Sequence, residues 1–448
     1  MGNSATNACT AVQYWRRKIL SHSSQDTTTI NQGGAQGLRR LEYICADHLI
    51  NGSVEQSCHK ISSRGTVEKA TSNPPHGLKG IDLRGTGLIA LPGLIDMHVH
   101  LRGLKLSYKE TVATGTKAAA VGGLTVVVDM PNTVPRLNTP RALEARLREI
   151  EEEAVVDVYM YAGIPEAPEE AAKLARYRRV VGFKVYPKDL EREEALRAAA
   201  NQGLPIILHP ELPEAERVVE VEEPRARDAL RGCPLEAAAP YYLAHILDGV
   251  EPRLHITHAS CPHTVKAAKD LGASVDITPH HLIYDTSTTM PQCYWKVNPP
   301  LRGREVRTAL LNLLVEGSID AVGSDHAPHA PWEKSEPLNC RPGISWLELW
   351  PSLVYSLLRP AYGSLGALKG LARLAYEAPR RILGLPPHAV EGGVANYTVL
   401  SLERTRFIGF RASKAPKDYH LMLPLSAETV LTVVRGKIVF SGFNPRGT

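Results

Sequence analysis

Long apolar runs and basic blocks are both missing from this sequence of 448 residues. No uninterrupted apolar run reaches the roughly 18 residues that a membrane-spanning helix needs, so we predict no membrane association. No block of arginine and lysine with interleaved aromatic residues occurs either, and the net charge of +5 is small at this length. We therefore predict no nucleic-acid partner. The composition, with 43% hydrophobic and 22% charged residues, is that of a globular protein.

Cysteine is scarce, and none of the seven cysteines forms a C-x-x-C pair. Their number is odd and they are scattered along the chain, at Cys9, Cys45, Cys58, Cys233, Cys261, Cys293 and Cys340. This pattern argues against a disulfide framework and against a cysteine zinc site. It favours a reducing compartment, so we predict a cytoplasmic protein in which Cys261 is a small buried residue.

The two ends of the chain differ in character from its middle. Residues 1–40 are rich in Ser, Thr, Asn, Gln and Gly without a hydrophobic period, which predicts a poorly ordered N-terminal extension. Short alternating runs broken by Gly, Asn and Pro occupy residues 41–92, and a similar pattern returns only in residues 386–448. Because neither segment would bury much core alone, we predict one small β-sandwich domain formed by both ends.

The middle of the chain, residues 93–385, alternates short apolar runs with amphipathic, helix-like stretches. Eight strand candidates lie at 94–98, 124–129, 155–161, 180–186, 204–209, 254–258, 274–278 and 319–324. Strands that alternate with helices in this way predict an α/β fold, a (β/α)8 barrel of the TIM type. Such barrels carry their chemistry at the C-terminal ends of the strands, so the residues at those ends form the candidate site.

Two histidines end the first strand candidate, in the stretch LPGLIDMHVHLR at residues 91–102. Side chains at i and i+2 of a strand point to the same face, so His98 and His100 can reach one site together. Imidazole is a good ligand for zinc. Arg102 has the same parity and could bind a substrate carboxylate as a planar fork. An isolated H-x-H pair would more often be structural, so the other strand ends decide the interpretation.

Those strand ends carry further ionisable side chains, namely Lys184, His209, His255, His258, Asp325, His326 and His329. Each alone would more often be structural, but their convergence on one rim favours a metal site. By strand parity, His255 is opposed to the inward His258, so we expect it to face the surrounding helices. His326 is likewise out of parity with Asp325 and is not expected to bind metal. His280 and His281 follow the seventh strand, and we predict that they have a structural role or support the metal ligands.

Lys184 lies among apolar residues on the fourth strand, where a buried ammonium is costly. One interpretation is a lysine that extends to the rim or pairs with a carboxylate. The other is a lysine neutralised by carbamylation with CO2, which becomes a carboxylate on a long stem that can bridge two metals.

From about residue 41 onwards the chain resembles the dihydroorotases among the cyclic amidohydrolases. The motifs that carry the resemblance are residues 92–102, 109–111 (KET), 130–133 (MPNT), 183–185 (FKV), 296–302 (KVNPPLR) and 324–329 (SDHAPH). The chain departs from many relatives directly after Arg102, where Gly103-Leu104-Lys105 replaces a Pro-Gly turn.

The resemblance implies two zinc ions and a specific set of ligands. His98, His100 and Asp325 would bind one ion, His209 and His258 the other, and carbamylated Lys184 would bridge them. A second set would bind the substrate: Arg102, Asn132 and His329 at its carboxylate, with Asn298 and the backbone near Pro342 and Gly343 at the pyrimidine ring.

The implied reaction is the reversible cyclisation of N-carbamoyl-L-aspartate to L-dihydroorotate in pyrimidine biosynthesis. In the hydrolytic direction Asp325 would take a proton from the attacking water and deliver it to the leaving ring nitrogen. The implied partners are the small-molecule substrate, a second copy of the chain in a homodimer, and aspartate carbamoyltransferase.

Two other functions remain open from the sequence. A hydantoinase or allantoinase would share the metal ligands, although Arg102, Asn132 and His329 favour a substrate that carries a carboxylate. A non-catalytic structural or interaction relative is the second alternative, and the presence of every expected ligand argues against it.

Overall fold

The structure, a computed structural model, describes residues 40–217, 221, 223–288, 293–335, 340–402, 412–415, 423 and 425–442. Its strands form two separate sheets. In chain order the strands are β1 (Tyr43–Ile50), β2 (Ser53–Ile61), β3 (Val67–Thr71), β4 (Gly80–Asp82), β5 (Leu88–Pro92), β6 (Leu94–Val99), β7 (Leu124–Asp129), β8 (Asp157–Gly163), β9 (Val180–Val185), β10 (Ile206–Leu208), β11 (Leu254–Ile256), β12 (Ser274–Ile277), β13 (Ala321–Val322), β14 (Tyr397–Ser401), β15 (Glu428–Val434) and β16 (Lys437–Ser441).

Helices separate the strands of the central region. They are α1 (Val112–Val121), α2 (Pro140–Glu153), α3 (Glu170–Ala175), α4 (Glu193–Ala200), α5 (Pro224–Leu230), α6 (Cys233–Ile246), α7 (Pro262–Asp270), α8 (Pro279–Ile283), α9 (Arg304–Glu316), α10 (Trp350–Ala372) and α11 (Ala378–Leu383). Several begin with a cap and a proline in the first turn: at α2, Thr139 accepts a hydrogen bond from the Ala142 amide and Pro140 follows it. In the described part of the chain, no helix is long and apolar enough to cross a membrane.

Strands β6 to β13 pair in parallel and in sequence order, which confirms the predicted (β/α)8 barrel. Every residue of β6, β7 and β9 is buried, as expected for parallel strands covered by helices on the outside. A bridge between Val99 and His326 joins the first and last strand ends, and the His100 amide donates to the His326 carbonyl at 2.8 Å. The barrel therefore closes at the rim that carries the candidate site.

The other sheet takes its strands from both ends of the chain, as predicted. Its order is β16-β15-β14-β5-β1-β2-β3, with β4 beside β1. The residues before β1 also contact the turn between β15 and β16, where the Leu41 amide donates to the Gly436 carbonyl at 2.7 Å. A second hydrophobic core, which includes Ile44, Val399 and Val433, belongs to this domain. The boundaries at residues 92 and 386 stay a prediction, and residues 1–39 of the predicted N-terminal extension lie outside the described residues.

Three disulfides correct the prediction made from the cysteines. Cys45 pairs with Cys58, Cys233 with Cys261, and Cys293 with Cys340. Cys45 and Cys58 lie opposite each other on β1 and β2. This strand register cannot be read from the sequence. The pairing was missed because a disulfide depends on spatial proximity, which scattered spacing neither shows nor excludes. The argument for a reducing compartment loses its basis, and Cys261 is buried as one half of a bridge.

Candidate active site

A cavity of about 300 Å³ opens at the C-terminal ends of the barrel strands. Its lining includes every predicted substrate-binding residue and every predicted metal ligand except Lys184. In chain order the lining residues are His98, His100, Arg102, Asn132, Tyr186, Pro187, His209, Glu216, Arg231, His258, Asn298, Asp325, Ala327, His329, Arg341, Pro342 and Gly343. Residues that lie 245 positions apart in the sequence thus share one small volume.

His98, His100 and Asp325 form a group that could hold a metal ion. The Nε2 atoms of His98 and His100 lie 3.3 and 3.0 Å from the same Oδ1 atom of Asp325. All three side chains are buried. Two imidazole nitrogens and one carboxylate oxygen within this distance are a typical donor set for zinc and related ions.

The remaining ring nitrogens of the two histidines have partners that fix the rings. The Nδ1 atom of His98 lies 2.7 Å from the Thr257 hydroxyl, and Nδ1 of His100 lies 2.8 Å from Oδ1 of Asn132. Such contacts orient a histidine so that its other nitrogen faces the metal. Asn132, predicted to bind substrate, therefore also supports a ligand.

His209 and His258 extend the group on the side away from His100. Their ring centroids are 4.5 Å apart, and the centroids of His98 and His258 are 4.9 Å apart. Burial lowers the pKa of His98 and of His258 well below the usual value for histidine, and neighbouring cationic groups add to this effect. Both rings are consequently neutral, the state in which imidazole binds a metal.

Glu211 and Arg231 support His209. Oε2 of Glu211 lies 2.7 Å from Nε2 of His209, and Arg231 donates two hydrogen bonds to the Glu211 carboxylate, at 2.7 and 2.5 Å. Burial would raise the pKa of Glu211, but the bonds from His209 and Arg231 hold it well below the usual range. Glu211 is therefore ionised, and Nδ1 of His209 is left to face the metal group.

Lys184 lies on β9, fully buried, and does not line the cavity. Its Nζ atom has no hydrogen-bond partner among the residues that the structure describes. Burial lowers its pKa to about 7, against the opposing effect of Asp276 and Asp325. A buried amine that makes no hydrogen bond is costly. Carbamylation of this amine would give a carboxylate, and a metal bound to that carboxylate would supply the missing interaction.

Arg102, with the His329 imidazole beside it, forms the cationic side of the cavity. Nη2 of Arg102 lies 3.1 Å from Nε2 of His329, and Nε of Arg102 donates to the Pro328 carbonyl at 3.1 Å. Burial lowers the pKa of Arg102, although nearby carboxylates including Asp325 oppose the shift. A guanidinium held in this way, with an imidazole beside it, suits a carboxylate ligand.

Asn298, Pro342 and Gly343 also line the cavity, and the Pro342 carbonyl oxygen lies 3.1 Å from Nε2 of His329. The side-chain oxygen of Asn298 accepts a hydrogen bond from Arg227. Gly343 has a φ of 148°, and a Cβ there would meet the Ala327 carbonyl oxygen at 2.4 Å. Any larger residue would consequently push this wall out of place.

Three site residues, Arg102, His258 and Asp325, have positive φ values of 54°, 42° and 45°. A non-glycine residue in this region costs about 1–3 kcal/mol, and such residues cluster at functional sites. The turn at His258 also breaks the alternation of strand faces. His255 was therefore wrongly predicted to face the helices: its ring lies 2.8 Å from Asp276, which in turn contacts Thr257 beneath the site.

Several residues of the site were not found from the sequence. Tyr186 and Arg341 line the cavity, Glu211 and Arg231 support His209, and Asp276 accepts from the His258 amide at 2.6 Å. Glu211 could have been found, because it follows His209 by two positions at a strand end. The others come from loops or neighbouring strands, and nothing in their local sequence marks them.

Comparisons with known proteins agree with this geometry. Residues 87–189 match a family model described as dihydro-orotase-like. The chain is 42% identical to a dihydroorotase from Aeropyrum pernix over 89% of this chain and 95% of that protein. It is 38% identical to a dihydroorotase from Saccharolobus solfataricus over 81% of this chain and 88% of that one.

Solved structures with this fold include an L-hydantoinase (dihydropyrimidinase) from Arthrobacter aurescens. Its TM-score is 0.78 at 22% identity, and the match covers 91% of this chain and 97% of that one. At this identity the likeness concerns the fold alone, a (β/α)8 barrel with an added β domain. With the extent and level of identity to the two dihydroorotases, the comparisons show that the chain belongs to the dihydroorotase family.

Proposed function

We propose that the chain catalyses the reversible cyclisation of N-carbamoyl-L-aspartate to L-dihydroorotate, with loss of water. The observation that carries the proposal is the shared cavity, in which the His98–His100–Asp325 group faces Arg102 and His329. A ring amide and a carboxylate can be held there at the same time. The reaction is a step of pyrimidine biosynthesis, and the dihydroorotases at 38–42% identity support the assignment.

The residues fit a two-zinc centre. His98, His100 and Asp325 would hold one ion, His209 and His258 the other, and Lys184, carbamylated by CO2, would bridge them. Two features of Lys184 support this arrangement: its Nζ has no hydrogen-bond partner among the described residues, and its amine has a lowered pKa, because only a neutral amine reacts with CO2. When bound, the ions would supply Lewis-acid activation of water and of the ring carbonyl.

The protein's own residues would bind the substrate and move the proton. Arg102, Asn132 and His329 would hold the carboxylate, which places the ring for attack. Asn298 and the backbone of Pro342 and Gly343 would face the ring. In the hydrolytic direction Asp325 would accept a proton from the attacking water and donate it to the leaving ring nitrogen.

Turnover of L-dihydroorotate, hydantoin and allantoin by the zinc-loaded protein with bicarbonate tests the proposal. We expect dihydroorotate to be hydrolysed and the two rings without a carboxylate to be poor substrates. Turnover of a neutral ring in preference to dihydroorotate would favour the hydantoinase or allantoinase alternative. Absence of any turnover with metal bound would favour a non-catalytic relative.

The assembly and location are proposed as a homodimer in the cytoplasm that associates with aspartate carbamoyltransferase. The family assignment supports all three proposals. The cysteine pattern, which had favoured the cytoplasm, no longer supports that location. Intracellular proteins of hyperthermophilic archaea also carry disulfides, so the three bridges leave a cytoplasmic location open. Light scattering with and without the transcarbamoylase, and fractionation of the source cells, test them.

A further inference from the structure

His329 is surrounded by two hydrogen-bond donors and two acceptors. At Nε2, the Arg102 guanidinium and the Pro342 carbonyl oxygen both lie 3.1 Å away. At Nδ1, Nζ of Lys109 lies at 3.2 Å and Oε2 of Glu333 at 3.3 Å. A neutral imidazole has one N–H and one lone pair, so it can satisfy only one donor and one acceptor at a time.

The imidazole of His329 is neutral, because burial, with help from the charges of Arg102, Lys109 and Lys334, lowers its pKa far below the usual value. Two tautomers are then possible. In the first, Nδ1 accepts from Lys109 and Nε2–H donates to the Pro342 carbonyl oxygen. In the second, Nδ1–H donates to Glu333 and Nε2 accepts from Arg102. Each tautomer makes one hydrogen bond at each nitrogen, so neither is strongly preferred by number alone.

The choice matters for a carboxylate in the cavity, because a carboxylate only accepts hydrogen bonds. The first tautomer of His329 has a proton at Nε2, beside the Arg102 guanidinium, which a carboxylate can share with the Pro342 carbonyl oxygen. The second offers a lone pair, which repels an anion. The tautomer therefore decides whether this wall attracts or repels the substrate carboxylate.

We propose that Lys109 is a positioning residue that selects the Nε2–H tautomer of His329 and thereby sets the affinity for the substrate carboxylate. The proposal rests on the proposed function. Lys109 does not line the cavity, so it acts through His329. It belongs to the motif at residues 109–111, to which no role has been given so far.

The surroundings hold Lys109 at this place. Its side chain is buried, and Nζ lies 2.8 Å from Oε1 of Glu333. The ring of the preceding Tyr108 stacks on Trp332 with centroids 6.0 Å apart, and the Tyr108 hydroxyl donates to Glu333 at 3.2 Å. These contacts join the loop after β6 to the loop after β13. The ion pair with Glu333 therefore holds the ammonium beside Nδ1 of His329.

Three single variants test the role of Lys109 by steady-state kinetics with L-dihydroorotate. Lys109→Met is expected to raise KM about tenfold with little change in kcat, since a charge-assisted hydrogen bond to the binding wall is lost. Lys109→Arg, which retains a donor and the charge, is expected to restore most of the affinity. Lys105→Met removes the same charge from an exposed position of the same loop and controls for electrostatic attraction alone.

A spectroscopic measurement separates tautomer selection from a general structural effect. In ¹⁵N-histidine-labelled protein, the His329 resonances are assigned with His329→Gln, and the two nitrogen shifts report the tautomer. Lys109→Met should move His329 towards the Nδ1–H form. Glu333→Gln should move it the opposite way, because the anionic acceptor at Nδ1 is lost. A cluster that served only to hold the loops together would show the same direction of change in both variants.

The possible failures are distinguishable. Absence of dihydroorotate turnover in the unchanged protein would overturn the proposed function. Normal turnover in the unchanged protein with an unaltered KM in Lys109→Met would overturn the role of Lys109 alone. An unaltered His329 tautomer in Lys109→Met would do the same, and it can be read without any activity.

Discussion

At the scale of single residues, the site depends on a few buried ionisable side chains. Asp325 contacts both His98 and His100, so it is placed to hold metal and to exchange protons with substrate. Lys184 is buried, and its Nζ atom has no hydrogen-bond partner among the described residues. Each of these two residues leads to a separate prediction.

Replacing Asp325 by Asn should remove most turnover while the fold is retained. The amide keeps the shape of the side chain but cannot accept the proton, so we expect kcat for dihydroorotate to fall by about 100-fold or more. Turnover and far-UV circular dichroism measure the two effects. Asp270→Asn, at an exposed ion pair with Lys266, is the control and should retain activity. Normal activity in Asp325→Asn would contradict the assigned role.

Lys184 should carry a carbamate in the active protein. After incubation with ¹³C-bicarbonate and zinc, we expect one carbamate carbon signal that is missing in Lys184→Met. Metal analysis of the same samples should show that Lys184→Met binds less zinc than the unchanged protein, because the bridging ligand is lost. A full zinc content in Lys184→Met together with no carbamate signal in the unchanged protein would refute the bridge.

At the scale of secondary-structure elements, one disulfide links two segments that carry residues of the site. Cys233, the first residue of α6, is bonded to Cys261, which precedes α7 and follows His258 by three positions. The bridge holds the segment that carries Arg231 close to the end of β11. It closes a loop of 28 residues, which restricts the unfolded chain.

Removing this bridge with the double variant Cys233→Ala/Cys261→Ala should lower the free energy of unfolding by about 2–4 kcal/mol. Urea denaturation followed by circular dichroism gives the value. The pairing itself is checked by thiol titration of the denatured, unreduced protein. With six of the seven cysteines in three bridges, one free thiol is expected. Titration of all seven would show that the bridges are not formed.

At the scale of the whole molecule, the β domain built from both chain ends contains groups that make stability depend on pH. It holds two buried, stacked histidines, His48 and His59, with ring centroids 4.1 Å apart. Burial, together with the charge of His59, lowers the pKa of His48 to about 3. Burial also lowers the pKa of His59 to about 4, although Glu391 opposes the shift. The Tyr397 hydroxyl completes the cluster, 3.0 Å from Nδ1 of His59.

These lowered pKa values predict a loss of stability in acid. In the unfolded chain both histidines titrate near the usual histidine pKa of 6.5, so the unfolded state binds protons first as the pH falls. The stabilisation is complete above about pH 6.5 and is lost as the pH falls towards about 4. His48→Leu should reduce this dependence, as measured by the free energy of unfolding between pH 7 and 4.5. His263→Gln, at an exposed position, is the control.

The sequence determined the barrel and most of the site, because both depend on local rules. Buried parallel strands appear as continuous apolar runs between helices, and a barrel presents its strand ends on one rim. His98, His100, Arg102 and Asp325 could therefore be placed together before any contact was known. The joining of both chain ends in one β domain followed from the lack of enough core in either.

Tertiary structure alone decided the features that depend on contacts between distant segments. Cysteine pairing required proximity that spacing does not encode. The direction of His255 was mispredicted because a positive φ at His258 ends the strand alternation. The partners of His329 come from the loops after β6 and β13, more than 200 residues apart in the sequence. The local sequence determines towards which face of a strand a side chain points. Only the closed barrel determines which side chains from distant segments it contacts there.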